Sequence, residues 1–163
     1  MFLSLCAAED LEVYQMDLKS AFLQAPLKES IFLRAPPGYS STTVDGEEEI
    51  LELSRAIYGL KQSSACFFDA MHEHLVANGY VSILGDPCLF RKVLPDGGII
   101  MACTYIDDVT YGVSSPELAQ RFLSEMRERF VIEEGEGKQI DFLLGMAVSQ
   151  NLVAGTVRLD MTM

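Results

Sequence analysis

The sequence predicts an α+β domain, and three observations carry that expectation. Strand-like apolar runs and helix-like periodicities are mixed along the chain, an Asp-Gly turn signal separates two of the runs, and 49% of the 163 residues are apolar against 22% charged. This balance supplies a core and argues against disorder or a fibrous repeat. No internal repeat, low-complexity tract or linker divides the chain, so a single domain over residues 1–163 is expected.

Residues Met1 to Ala8 read as the tail of a helix; they lack a basic leader and run straight into Glu9, Asp10 and Glu12, which a secretory signal would not tolerate. Leu11 to Leu18 reads as a strand with Asp17 at its end, and the small residues from Ser20 to Leu27 turn the chain. Ile31 to Arg34 is a short strand closed by Pro36, Pro37 and Gly38, and the acidic stretch Ser40 to Glu49 is an exposed loop. Alternation resumes over Ile50 to Leu53. From Ser63 or Ser64, the residues Phe67, Phe68, Met71, Leu75 and Val76 recur at helical spacing until Gly79.

The Leu94-Pro-Asp-Gly-Gly98 turn predicts a hairpin between Cys88 to Val93 and Ile99 to Tyr105. A second turn at Asp107-Asp108 precedes Val109 to Val113. Ser115 offers an N-cap with Pro116 in the first helical position, and Leu118, Phe122, Leu123, Met126 and Phe130 form an apolar face. Val131 to Glu133, Phe142 to Val148 and Thr156 to Leu159 complete the strand candidates.

Twelve Lys and Arg against 24 Asp and Glu give a net charge of −12, which on average repels nucleic acid and acidic membranes. The longest apolar stretch, around Ile99 to Ile106, falls short of the roughly 20 residues of a membrane span, so no membrane association is expected. Four scattered cysteines without a Cys-x-x-Cys pair fit a reducing, intracellular compartment and exclude a zinc ribbon. The cytoplasm is the expected location, with virus-like particles or the nucleus as alternatives.

The residues that carry chemistry are carboxylates at strand ends. Asp17 ends one apolar strand, and about 90 residues later Asp107 and Asp108 sit together at a turn between two others. Should those strands be neighbours, three anions converge, and hard oxygen donors of that kind favour Mg²⁺ and suit two-metal phosphoryl transfer. From spacing alone, turn capping remains open as the alternative.

The flanks change that weighting. Met16-Asp-Leu-Lys-Ser-Ala-Phe-Leu23, Ile31-Phe-Leu-Arg-Ala-Pro-Pro-Gly-Tyr39, Ile57-Tyr-Gly-Leu-Lys-Gln-Ser63, Asp86-Pro-Cys-Leu-Phe90, Tyr105-Ile-Asp-Asp108 and Phe142-Leu-Leu-Gly145 resemble, in order, the reverse transcriptase of copia-type LTR retrotransposons, from about Leu11 to Val148. The resemblance implies a palm-like antiparallel sheet with helices mostly on one face, the fingers and thumb incomplete. It implies an RNA-directed DNA polymerase, adding dNTP to a primer 3′-hydroxyl on an RNA or DNA template. It also implies the remaining Pol polyprotein domains, integrase and RNase H, as partners.

By the same resemblance Asp17, Asp107 and Asp108 are catalytic and hold two Mg²⁺ ions, or Mn²⁺, with help from the Leu18 carbonyl. Phe22 falls where related enzymes carry an aromatic gate against the 2′-hydroxyl; an ordinary core phenylalanine is the alternative. Tyr58, Gly59, Lys61 and Gln62 match the block that packs along the nascent base pair, although Lys61 could equally be a solvated lysine, and Tyr105 and Ile106 flank the aspartates on the substrate side. A different reading keeps the motifs by descent in a catalytically inert relic, and a palm-like cyclase or nuclease fits the carboxylates but not Tyr58 to Gln62.

The chain departs from the family after Ser63. Copia-type sequences continue with Pro-Arg and a Trp-Tyr pair, where this chain has Ser64, Ala65, Phe67 and Phe68, so bulk is kept and a fixed positive charge is lost. The chain is expected to begin after most of the fingers and to stop before a complete thumb. Elsewhere, His72 and His74 cannot share a helix face and are expected at the surface, Cys66, Cys88 and Cys103 in the core, and Asp45 to Glu52 and Glu133 to Glu136 in solvated loops.

Overall fold

The computed structural model describes residues 1–36, 38–39, 50–133, 135 and 137–161. The expected acidic loop over 40–49 lies outside them, as do Pro37 and residues 134 and 136. The architecture is α+β. Helix α1 (Phe2–Ala8) precedes β1 (Glu12–Asp17), a short 3₁₀ turn over Ala21–Gln24, and a separate hairpin of β2 (Phe32–Arg34) with β3 (Ile50–Glu52). Then come α2 (Ser63–Ala77), β4 (Val81–Ile83), β5 (Asp86–Val93), β6 (Ile99–Tyr105), β7 (Asp108–Val113) and α3 (Pro116–Arg127). The strands β8 (Lys138–Gln139), β9 (Phe142–Leu143), β10 (Met146–Asn151) and β11 (Thr156–Asp160) end the described chain.

Six strands form one sheet in the order β4-β5-β6-β7-β1-β8, antiparallel at every pairing, and β9, β10 and β11 form a second, three-stranded sheet. Because side chains alternate across a strand, the large sheet has two apolar faces. Met16, Ile100, Ala102, Val109, Tyr111 and Val113 point toward α2 and α3, which bring Phe67, Met71, Leu75, Phe122, Leu123 and Met126. Val13, Leu89 and Met101 point the other way, toward Phe2 and Cys6 of α1 and Val148 of β10. The two longer helices therefore share one face, as expected, while α1 takes the other. Gly112 permits that second contact, since a Cβ there would stand 2.6 Å from the Cys6 sulfur.

Several sequence expectations need correction. Phe142 to Val148 is not one strand: Leu144 and Gly145 both take positive φ, at 47° and 84°, and fold the segment into a β9–β10 hairpin. Val131 to Glu133 forms only an isolated bridge between Ile132 and Leu18. Of Asp45 to Glu52, residues 50–52 form β3, and Glu133 is half-buried with its N–H donating to the Asp17 carbonyl. Both histidines are half-buried rather than fully solvated. The His72 ring packs beside Phe68 and Phe90, and His74 lies against Phe130 with a ring nitrogen 2.8 Å from the Glu125 carbonyl. Cys66 is buried, whereas Cys88 and Cys103 are half-buried; burial pushes the Cys103 thiol up to about 11 and that of fully buried Cys6 to about 12.

The helix face is locked by one carboxylate. Glu125 of α3 accepts from Lys92 of β5 at 2.7 Å, Tyr80 at 2.7 Å and Arg121 at 3.0 Å, so it ties α3 to the sheet edge. Burial alone would raise the Glu125 pKa; the hydrogen bonds from Lys92, Tyr80 and Arg121 outweigh it and hold the group below its ordinary 4.5. The stabilisation is therefore complete above pH 4.5 and is lost as pH falls through the depressed folded value. With Lys92 only 12% exposed, Glu125→Gln leaves a buried ammonium unmatched and should cost about 2–4 kcal/mol at neutral pH. Urea unfolding at neutral pH and again below pH 4.5 tests this, and the gap between the two proteins should narrow on the acid side as wild-type Glu125 itself protonates.

Candidate active site

Pairing of β1 with β7 places Asp17 directly opposite Asp108, and pairing of β6 with β7 places Tyr105 opposite the same residue. The turn therefore consists of Ile106 and Asp107, one residue earlier than the Asp107-Asp108 dipeptide suggests, and Asp108 already belongs to β7. Beyond the last ladder pair, the Leu18 N–H donates to the Asp107 carbonyl at 3.1 Å, fastening the turn to the end of β1. All three aspartates are thus gathered at one end of the sheet. Asp17 and Asp108 are exposed and Asp107 is half-buried.

Two of the cavities among the described residues flank this end of the sheet on opposite faces, and of these the first alone is lined by carboxylates. One of about 240 Å³, on the face shared with the small sheet, is lined by Gln15, Asp17, Asp108, Thr110, Phe142 and Leu144. The other, about 200 Å³ and almost wholly apolar, is lined by Phe22, Phe67, Phe68, Met71, Tyr105 and Ile106 on the helix side. Asp107 belongs to the turn between them. Its Oδ2 accepts from the Tyr58 hydroxyl at 2.8 Å, and among the described residues its buried Oδ1 has no hydrogen-bond partner. That hydrogen bond first, then burial and the negative charges of Asp107 and Asp17, hold the Tyr58 phenol above its ordinary range. As the side chains stand, no three His, Cys, Asp or Glu groups among the described residues are arranged to hold a metal ion.

The other residues singled out from sequence divide into two groups. Phe22 is buried, its ring 4.7 Å from Tyr58 and 6.3 Å from Phe67, so it is at once core and cavity wall. Tyr105 and Ile106 line the same cavity, and Leu18 is buried beneath the turn. Gly59, Lys61 and Gln62 lie farther along the loop into α2. Gly59 has φ of 98°, Lys61 is exposed, and the Gln62 carbonyl accepts from the Cys66 N–H.

Sequence reasoning passed over Gln24. Its side-chain amide accepts from the Val131 N–H at 2.6 Å and donates to the carbonyls of Val131 and Lys19, while its own carbonyl accepts from Arg55 and Arg129. These bonds pin the 3₁₀ turn that carries Phe22 to the segment after α3. No local signal could have revealed them, since Gln24 and Val131 are 107 residues apart.

The sheet gathers a strand-end aspartate and the Ile106-Asp107 turn beside an aromatic-walled cavity, and the sequence that builds it matches a known family. The chain belongs to the family described as reverse transcriptase (RNA-dependent DNA polymerase), whose model matches residues 1–162. Its curated relatives are copia-type Pol polyproteins. The Retrovirus-related Pol polyprotein from transposon TNT 1-94 of Nicotiana tabacum is 30% identical over 148 residues, 90% of this chain and 11% of that protein. The polyprotein from transposon RE1 of Arabidopsis thaliana is 29% identical over 135 residues, 82% of this chain and 9% of its own length. The Ty1-DR1 Gag-Pol polyprotein of Saccharomyces cerevisiae is 24% identical over 152 residues, 90% of this chain and 8% of its own. The chain thus spans about a tenth of the relatives it matches.

The turn holding Asp107 is strained. Ile106 takes φ of 54°, a region that a β-branched side chain enters only at a cost and that glycine enters freely. Ile106 is 44% exposed, so truncation also gives up the buried part of its side chain. Ile106→Gly and Ile106→Ala lose that burial alike, but only glycine relieves the backbone, so Ile106→Gly should be about 0.5–1 kcal/mol more stable than Ile106→Ala, against the usual order of the two residues. Thermal unfolding of the two variants side by side makes the comparison.

Proposed function

We propose that this chain is the palm of an RNA-directed DNA polymerase from a copia-type Pol polyprotein, with Asp17, Asp107 and Asp108 as the carboxylates that hold two Mg²⁺ ions or Mn²⁺. The observation that carries the reading is the direct cross-strand pairing of Asp17 with Asp108, joined by Asp107 on the adjoining turn. Like charges placed opposite one another weaken a sheet, so such a pair opposes the fold's own stability and is what a cation-binding site requires. The donor set fits a hard divalent ion: carboxylate oxygens throughout, one of them buried and unsatisfied among the described residues.

The reaction proposed is attack of a primer 3′-hydroxyl on the α-phosphate of a dNTP, with pyrophosphate leaving and an RNA or DNA template selecting the base. Bound divalent ions supply activation of the attacking hydroxyl and neutralisation of the leaving charge. The chain's own residues do the positioning. Phe22, fixed in its turn by Gln24, walls the apolar cavity and excludes a ribose 2′-hydroxyl, while Tyr105 and Ile106 border it beside the carboxylates. The Leu18 carbonyl is a further oxygen donor in this reading, and Gly59, Lys61 and Gln62 line the path of template and nascent pair. Integrase and RNase H are the remaining polyprotein domains it implies.

Mg²⁺ tests the reading directly. Occupying the carboxylates relieves their repulsion in the folded state only, so millimolar Mg²⁺ should raise the melting temperature of the chain. Asp17→Asn and Asp108→Asn should each remove most of that rise. An equal rise in all three proteins would mean that the ion merely screens the net charge of −12, and would sink the assignment.

A further inference from the structure

Each oxygen of Asp107 is either enclosed or engaged by the protein. Oδ1 is buried within the protein, and Oδ2 is engaged by the Tyr58 hydroxyl at 2.8 Å. Asp17 and Asp108 differ in being exposed. An ion that is to take the Asp107 Oδ2 lone pair held by the Tyr58 hydroxyl requires Tyr58 to leave. Tyr58 is suited to leaving: it is 54% exposed, it belongs to the loop before α2, and its ring rests on Phe22 in a tilted contact at 4.7 Å. Phe22 is in turn a wall of the apolar cavity beside the turn. Movement of one exposed ring would thus free the carboxylate and uncover Phe22 together.

We infer that the Tyr58 hydroxyl competes with the divalent ion for Asp107, making Tyr58 a positioning residue that governs when Asp107 joins the ion-binding set. The inference rests on the reading of the three aspartates as ion ligands and adds a control to it. Release of Tyr58 exchanges a hydrogen bond to a charged oxygen for an ion contact at the same oxygen, so the bond's strength is subtracted from ion affinity. Coupling runs in both directions: whatever holds Tyr58 away from Asp107, including a substrate seated against Phe22, strengthens ion binding by the same factor.

Binding of Mn²⁺ alone to the chain, followed by loss of the free-ion electron paramagnetic resonance signal, tests this in wild type, Tyr58→Phe, Asp107→Asn and the double variant. Tyr58→Phe removes one exposed oxygen and keeps the ring on Phe22, so the fold is retained. It should bind Mn²⁺ about three- to tenfold more tightly than wild type. Asp107→Asn should bind more weakly, and the double variant should match Asp107→Asn, because Tyr58 acts only through Asp107. Mn²⁺ should also perturb the tyrosine absorbance of wild type, a change missing from Tyr58→Phe. Unchanged or weaker binding by Tyr58→Phe, with Asp107→Asn still impaired, overturns the competition and leaves the proposed function standing. Wild-type affinity in Asp107→Asn overturns both, since Asp107 would then not be an ion ligand.

Discussion

Antiparallel register between β1 and β7 is the constraint on which the rest of the site depends. Side chains alternate with a period of two, so slipping β1 by one residue would turn Asp17 into the helix-side core and push Met16 and Leu18 to the other face. That slip is blocked from both sides of the sheet. Met16 and Leu18 are buried under α2 and α3, and Val13, one face over, is buried with α1. Beyond the ladder, Leu18 donates to the Asp107 carbonyl, Lys19 to Val131 and Glu133 to Asp17, so the strand end is held past its last pair. The core thus compels two carboxylates to face one another in a position that sheet energetics alone would reject.

Charge is distributed to match. Lys28, Arg91, Lys92, Arg121 and Arg158 are all engaged in ion pairs with acidic groups elsewhere on the surface or at the helix face. Around the aspartates several exposed residues are apolar instead: Tyr105, Ile106, Phe142 and Leu144. A low-polarity rim strengthens the field of the carboxylates on anything that enters. It offers little to a phosphate backbone, whose affinity comes from lysine and arginine.

Much of the fold was legible because the signals were local. The Asp-Gly turn after Val93, the proline after Ser115 and the apolar spacing of α2 and α3 each act within a few residues, and the structure follows them within a residue or two. The β9–β10 hairpin was hidden, since Phe142 to Val148 is apolar enough to pass for one strand and its turn opens on a leucine at positive φ. The aspartates were legible as strand-end and turn residues beside recognisable flanks, but their partners were not. Tyr58 reaches Asp107 across 49 positions, and His74 finds the Glu125 carbonyl across 51. Tertiary contacts of that separation leave no periodicity to read, which is also why both histidines were expected at the surface.

The two walls that meet at Phe22 are built to different stiffness, and the asymmetry decides which can move. On one side the 3₁₀ turn is clamped by Gln24 through three bonds of its side chain and two to its carbonyl, with Phe22 itself buried against Phe67. Displacing Phe22 would break that set together and open the core. On the other side Tyr58 is half out in solvent, and Gly59 beside it adopts a φ of 98° with nothing within 4 Å of where a Cβ would stand, so nothing crowds the chain at that position. Segments with few buried contacts are the ones that open at low cost. Movement beside Phe22 therefore falls to the Tyr58 ring, and because the same residue holds Asp107, its departure would bare the Phe22 ring and the carboxylate together.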